Sequence, residues 1–404
     1  MRGAGPRRGA FRALRHAAFR WLYFSVGLFQ AGFWLSHISL QFLTGSLAET
    51  PEQASLYVGL YFAAAHLPGL LLVPWTGIAA DRLDRRRMLM GAYAAQACVI
   101  GSLLALLLSG ALSIEWLLLL VVGIGCSNAW ASPALMASVA DAVPRRDLRS
   151  GIALQAIAAN FTRVAGPLAA GAVFALSGPA AAFGTLLGVI AVVLAMLGRM
   201  RLAAHERDPG STSVLGQLRS GISHARERHP AGPVLISVAV MSVFGISHTA
   251  LHLPFAEQLL GDGRYFPLLS ASTGLGALAG SLFASLQRRT PSLRRAGLQL
   301  AAYGLALIAF SRAPGPAFAM GAQLAVGFFY FTTIIMLQTL VQQCIDDAKR
   351  GRVMSLFNMC WGGLVAVGGP LMGGAAGALG PAATIALGGA LCGSFGLYRL
   401  ARGG

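Results

Sequence analysis

Acid, lysine and uninterrupted polar sequence are the scarce materials of this chain. Only 14 of its 404 residues are Asp or Glu, against 31 Lys and Arg, and all charged residues together make 11%. A soluble domain carries about 25% charge, so a soluble globular fold is excluded. Lys349 is the one lysine. The five cysteines, Cys98, Cys126, Cys344, Cys360 and Cys392, contain no C-x-x-C pair, which leaves no disulfide framework and no metal site. No Ser/His/Asp set or metal cluster gathers near one membrane face, so neither an enzyme nor a cofactor is expected. Met1 to Arg20 holds six arginines without a cleavable signal architecture, and reads as a retained basic tail. The net charge of +17 lies in small groups between apolar runs, not in one patch, which argues against a nucleic-acid surface.

What the chain has in abundance is apolar sequence, 56% of its residues. Twelve apolar segments run approximately over 19–43, 54–80, 88–109, 114–139, 150–176, 180–198, 232–256, 265–286, 296–311, 315–340, 353–378 and 381–398. Most reach the about 20 residues a helix needs to cross a bilayer. Of the 31 basic residues, Arg264 and Arg312 fall in links after odd-numbered segments and Arg163 falls inside a segment. The remaining 28 lie at the two termini and in the links after even-numbered segments. Positive charge marks the cytoplasmic side, so both termini are expected there, in a multi-pass protein of a bacterial inner membrane. The longest polar stretch, 199–231, reads as a cytoplasmic linker with an amphipathic helix whose apolar face holds Val214, Leu215, Leu218 and Ile222. It divides a tail (1–18) and a six-helix half (19–198) from a second six-helix half (232–404). The halves echo each other. Val164-Ala-Gly166-Pro167 recurs 203 residues later as Val367-Gly-Gly369-Pro370, Gly77 maps onto Gly280, and Gly178-Pro179 recurs at a shift of 202 as Gly380-Pro381.

The link Gly77-Ile-Ala-Ala-Asp81-Arg82-Leu83-Asp84-Arg85-Arg86-Arg87 resembles the signature loop of the major facilitator superfamily, G-x-x-x-D-R-x-G-R-R. Gly77, Asp81, Arg82, Arg85 and Arg86 match, and Asp84 stands where the family has its second glycine. The resemblance implies an all-α membrane protein of twelve transmembrane helices in two pseudo-symmetric six-helix halves, with this loop as a cytoplasmic latch. In such a latch Asp81 meets a helix N-terminus and the arginines bridge the halves. Pro133, the Val143–Leu148 link and Asn160-x-x-Arg163-x-x-Gly166-Pro167 look like the drug- and siderophore-efflux branch, which includes the macrolide efflux proteins and the enterobactin exporter. Gly166, Pro167 and Gly171 partly match that branch's fifth-helix antiporter motif, although Thr162 and Ala170 replace two of its glycines. Helix packing accounts for the same residues, since glycines let helices approach closely.

Arg163 lies near mid-membrane, where a lone charge costs several kcal/mol or more. It must meet water, a partner such as Asn160, or an anionic substrate. No carboxylate lies deep in any segment, in contrast to many proton-coupled relatives, and Glu257 at an outer end comes nearest. His37, His66, His248 and His252 are the other titratable groups inside the segments. The resemblance makes helices one, four, seven and ten the cavity wall, which places His37, His248 and His252 toward it. They are either hydrogen-bonding packing residues or proton-binding groups. Asn128, Trp130, Gln323 and Tyr330 complete an apolar, neutral-polar wall suited to an amphipathic molecule. The expectation is a monomeric, proton-coupled exporter of a small neutral or anionic organic molecule. An importer with the same fold and a non-transporting sensor are the alternatives.

Overall fold

A computed structural model describes residues 11–200, 214–287, 290–346 and 349–402. The 205–213 run, Arg288 and Arg289 lie outside the described residues, as do the side chains of Asp81, Val214, Leu215 and Leu218. Every regular element among the described residues is helical, and no strand occurs.

A short 3-10 turn, Arg12–Arg15, precedes α1 (Ala17–Ser46), α2 (Pro51–Arg82), α3 (Arg85–Leu108), α4 (Ile114–Ala142) and α5 (Leu148–Arg199). Local chemistry sets these boundaries. The Thr50 hydroxyl accepts from the Gln53 N–H at 3.3 Å and Pro51 opens the first turn of α2, where its missing N–H costs nothing. The Asp84 carboxylate accepts from the Arg87 N–H at 2.8 Å and caps α3. The charged link is thus only Leu83 and Asp84, and the aspartate that departs from the family glycine serves as the helix cap. At about 1.5 Å per residue, the 52 residues of α5 would extend far beyond the about 30 Å of hydrocarbon. The helix breaks instead at Gly178, whose φ of 73° and ψ of 175° only glycine adopts without strain, and Pro179 restarts it. The second copy of this dipeptide behaves alike. Gly380 has φ 81°, and Pro381 begins α14.

The linker helix α6 (Val214–Glu227) leads to α7 (Ala231–Val240) and α8 (His252–Leu259), which are joined by a π-turn at Met241–Gly245 and a 3-10 stretch at Ile246–Leu251. Then follow α9 (Tyr265–Leu286), α10 (Leu293–Ser311), α11 (Pro316–Cys344), α12 (Arg350–Asn358), a second π-turn at Met359–Gly363, α13 (Val365–Leu379) and α14 (Pro381–Arg402). Nine helical segments of the described residues are long and apolar enough to span a membrane, Leu148–Arg199 among them. Ala17–Ser46 and Leu293–Ser311, of 30 and 19 residues, pack with them.

Within the first half α1 packs on α5, α4 on α2 and α3, and α3 on α5; within the second, α9 packs on α11 and α10 on α14 and α11. The halves meet where α2 crosses α13 and where α5 crosses α9. These are the elements that carry the sequence repeat. Helices in lipid gain little from apolar burial and associate through close packing of small residues. A Cβ on Gly59 of α2 would stand 2.7 Å from the Gly369 carbonyl of α13, and one on Gly373 would stand 2.9 Å from the Gly59 Cα. At the other crossing Gly171 abuts Pro267 and Gly274 abuts the Arg163 carbonyl. The Gly274–Arg163 approach lies at mid-helix, and the Gly59–Gly373 and Gly171–Pro267 approaches lie toward the end that carries Glu52 and Asp262. There Phe42 of α1 stacks on Phe174 at 4.8 Å and meets Phe266 of α9 edge-on at 5.3 Å, while the Gln258 amide donates to the Pro51 carbonyl at 3.3 Å. Toward the arginine end the same helices expose Leu71 and Trp75 on α2, Ile157 and Phe161 on α5, and Leu282 and Leu286 on α9.

Candidate functional site

Arg163 projects from the middle of α5 across to the other half. Its guanidinium carbon lies 4.4 Å from the ring centre of Phe331 on α11, and its Nη1 donates to Asn160 Oδ1 at 3.2 Å. An i, i+3 spacing puts these two α5 side chains on one face. A cation over an aromatic face gains about 0.5–2 kcal/mol, which offsets only part of the cost of a charge at this depth. The ring beside Phe331, Tyr330, is buried, and its hydroxyl accepts from the Trp361 indole N–H at 2.7 Å. Of the two neighbours on α11, Phe331 meets the arginine face and Tyr330 holds the second π-turn.

His248 and His252 do not line an open wall. Both are buried, with ring centres 5.1 Å apart, and Gln323 of α11 lies between them. The Gln323 amide nitrogen is 3.2 Å from His248 Nε2 and 2.9 Å from His252 Nε2, and its carbonyl oxygen is 3.0 Å from Thr273 Oγ1 on α9. The irregular path from Met241 to Leu251 explains the difference from the expected cavity position. Four residues of ordinary helix share one face, but the 3-10 stretch rotates His248 inward against the Gly245 carbonyl, 2.7 Å away. His37 on α1 is half-buried and pairs with the Tyr61 hydroxyl of α2 at 2.9 Å; its ring stacks on Phe33 at 5.6 Å and meets Phe62 edge-on at 5.5 Å. His66 continues this file, stacked on Phe62 at 5.8 Å. Among the described residues no group of three His, Cys, Asp or Glu gathers as metal ligands.

The remaining expected residues scatter. Asn128 is half-buried and Trp130 exposed on α4, while Glu257 is exposed on α8 near the Gly263 turn. Gly166 is where Trp34 of α1 packs against α5, so it serves contact within the first half. Gly77 has open space around its α-carbon and makes no close approach. Asp81, the expected latch acid, has its side chain outside the described residues. The bonds described for Arg85 and Arg86 lie within their own half. Arg85 Nη1 donates to Asp141 of α4 at 2.6 Å and to the Ala137 carbonyl at 3.5 Å, with Nε donating to the Ala80 carbonyl at 3.2 Å. Arg86 donates to the carbonyls of Leu197, at 2.8 Å, and Gly198 at the end of α5. These arginines lie at the ends of helices of their own half, and helix-end carbonyls are acceptors without an intrahelical donor. Arg82 is exposed.

Several contacts had no local signal in the sequence. Asp141 meets Arg85 at a separation of 56 residues. Asp147 is held by His16 Nε2 at 2.9 Å and Arg12 Nε at 3.6 Å, and the His16 hydrogen bond keeps its carboxyl below the usual carboxylate range. The linker helix α6 docks on α12 and α7, with Arg228 donating to both Asp346 oxygens at 2.9 and 3.1 Å and Arg352 Nη1 donating to Ser220 Oγ at 2.9 Å. Of its expected apolar face only the Ile222 side chain is described, and that is exposed.

A family model described as "Transmembrane secretion effector" matches residues 8–399, nearly the whole chain. The chain belongs to this family of the major facilitator superfamily. It is a membrane transporter, not an enzyme. Two MFS-type transporters, one from Mycobacterium tuberculosis (strain ATCC 25618 / H37Rv) and one from Mycobacterium bovis (strain ATCC BAA-935 / AF2122/97), are 27% identical to it over 364 residues, covering 82% of this transporter and 77% of each relative. Among solved structures, peptide transporter POT in complex with sulfate aligns with a TM-score of 0.76 at 14% identity, over 98% of this chain and 96% of that one. Nucleoside transporter NupG aligns with a TM-score of 0.73 at 12% identity, over 95% and 98%. At such identities these structures speak for the fold alone.

Proposed function

We propose that this transporter exports a small amphipathic molecule, neutral or anionic, across a bacterial inner membrane by proton-coupled alternating access. Twelve spans carry it: the nine segments above, one more because Leu148–Arg199 divides at Gly178, and two from Ala17–Ser46 and Leu293–Ser311. It acts as a monomer, with both termini and the arginine link in the cytoplasm and the Glu52–Asp262 end outside. The close approaches at that outer end then correspond to a state open toward the cytoplasm, the side from which an exporter loads. The family description, which names secretion, supports the direction. The drug- and siderophore-efflux branch supplies the substrate class.

The observation that carries the reading is Arg163. A cation on an interface helix faces an aromatic ring of the opposite half and is bonded to a neutral amide, Asn160. Trp34 of α1 packs on α5 at Gly166, three residues further along, and Trp361 is bonded to Tyr330 beside Phe331. Both offer apolar area. An anionic head on Arg163 with an apolar body against these rings satisfies both needs.

The test is transport of a panel of anionic, neutral and cationic amphiphiles in inside-out and right-side-out vesicles. Anions accumulate in inside-out vesicles, and Arg163→Gln lowers their apparent affinity by about 10- to 100-fold, the equivalent of one charge-assisted hydrogen bond, with neutral compounds little changed. Accumulation in right-side-out vesicles makes the protein an importer, and a preference for cations untouched by Arg163→Gln removes the substrate reading.

A further inference from the structure

Donor and acceptor arithmetic fixes the orientation of the buried Gln323 amide. The Gly245 carbonyl can only accept, so His248 Nδ1, 2.7 Å away, carries that ring's hydrogen. The other nitrogen of a neutral imidazole is then an acceptor. Gln323 therefore turns its amide nitrogen to the two rings and its carbonyl oxygen to Thr273; that oxygen also lies 3.4 Å from His248 Nε2, a contact that becomes a hydrogen bond only when this nitrogen carries a proton. His252 places its own Nδ1 3.5 Å from Ser270 Oγ. With both rings neutral, the amide hydrogens serve both Nε2 atoms.

We propose that Gln323 is the positioning residue of a proton switch, and that its amide inverts when the histidine pair takes up a proton. The proposal rests on the proton-coupled reading above. The proton comes from water on one side and leaves to water; a ring Nε2 lone pair binds it, the pair gains one positive charge, and no other covalent bond changes. A protonated Nε2 is a donor, and it would face the amide nitrogen, also a donor. Inversion presents the amide oxygen to that ring and the amide nitrogen to Thr273. Thr273 serves both orientations because a hydroxyl donates and accepts. In the first it donates to the Gln323 oxygen; in the second its oxygen accepts from the amide while its hydrogen goes to the Leu269 carbonyl, 3.0 Å away.

The ring that stays neutral then faces a carbonyl oxygen with its own lone pair and must turn aside. For His248 that movement falls on Ile246–Leu251, the stretch that packs Ser247 against Gly368 of α13. Because α13 also crosses α2, the proton acts on an element at the boundary between the halves. The titratable and charged groups around the pair are His37 from α1, Tyr303 of α10 beside Gly245, Tyr330 of α11 with Arg163 of α5 near it, and Glu257 further along α8. Phe310 of α10 covers both rings at 6.1 and 6.2 Å. Among the described residues no carboxylate bonds either ring, which leaves Gln323 as the group whose orientation answers a change of charge.

The test is NMR on the full chain in lipid nanodiscs, with 15N-labelled histidine and glutamine and signals assigned from His248→Gln, His252→Gln and Gln323→Met. At pH 8 both rings are expected in the Nδ1–H form. On acidification the ring signals and the Gln323 side-chain amide should change with one common midpoint. In Gln323→Glu, whose carboxylate accepts in either orientation, the midpoint should rise by about one pH unit or more, and the pH profile of transport should move with it. An Nε2–H tautomer on either ring at pH 8, an amide that stays unchanged while the rings titrate, or rings that do not titrate down to pH 5 overturns the switch. Signals that move together in a protein whose transport ignores an imposed pH gradient leave the switch standing and remove proton coupling from the proposed function.

Discussion

A disulfide between positions 52 and 377 should lock the transporter in the state described. Glu52 opens α2 and Gly377 lies near the end of α13, so the pair spans the two halves at the proposed outer face. A Cβ built on Gly377 falls 3.9 Å from the Glu52 Cβ. Disulfides join Cβ atoms about 3.5–4.5 Å apart, and become impossible once the Cα atoms separate beyond about 7 Å. Glu52→Cys/Gly377→Cys, in a background with the five native cysteines replaced, should therefore oxidise readily without backbone movement. Opening this end for alternating access requires α2 and α13 to part, and the link forbids it. Transport should fall in proportion to the cross-linked fraction, roughly tenfold when about 90% is linked, and return on reduction. The assay is proteoliposome transport beside a gel that quantifies cross-linking, before and after reductant. Cross-linked protein that still transports would refute the assignment of this crossing as a moving boundary, and failure to cross-link under a mild oxidant would refute the packing itself.

Gly369→Val places a branched side chain against Phe62 and the Gly59 carbonyl; overpacking of this kind costs about 1–3 kcal/mol, which lowers the ratio of closed to open molecules at that end by about 5- to 150-fold and should show as slower cross-linking of the 52/377 pair. Arg85→Ala leaves Asp141, whose side chain is 16% exposed, without its partner; a loss of about 2–3 kcal/mol is expected, below the range for fully buried pairs because water reaches the acid, and thermal unfolding in detergent should show it as a larger drop than Arg86→Ala gives. Asp147 has its carboxyl held below the usual range, so its contribution to stability is complete above the ordinary carboxylate value of about 3.9 and is lost as pH falls through the lower folded value. Asp147→Asn should therefore melt earlier than the unsubstituted protein at pH 7, and a gap that persists unchanged at pH 3 would contradict the assignment.

Much of the architecture was legible because lipid imposes one-dimensional rules. Spans must be apolar and helical to hide their backbone, and positive charge sorts the links between them. Gly178-Pro179 and Gly380-Pro381 could be read as matching joints because a glycine with positive φ followed by a proline has one local use. The pairing of repeats was legible too, as Gly166 and Gly369 lie on the equivalent interface helices α5 and α13. Arg163 stood out because a charge inside an apolar run must find water, a partner or an anion in lipid.

The tertiary structure decided what each polar group meets. Spacing placed His248 and His252 on one helical face, yet the 3-10 stretch at Ile246–Leu251 turns that face inward, and no residue in it forbids an ordinary helix. Gln323 reaches those histidines from 71 and 75 residues away, and the Arg163 guanidinium lies over the face of Phe331, the neighbour of the expected wall residue Tyr330. The arginine link has a charge pattern that announces its side of the membrane, but Arg85 and Arg86 bond Asp141 and the end of α5 within their own half. Periodicity and charge determine which faces are apolar and which side is positive. Long-range hydrogen bonds depend on how many similar cylinders are set beside one another, and that is a property of their packed surfaces taken together.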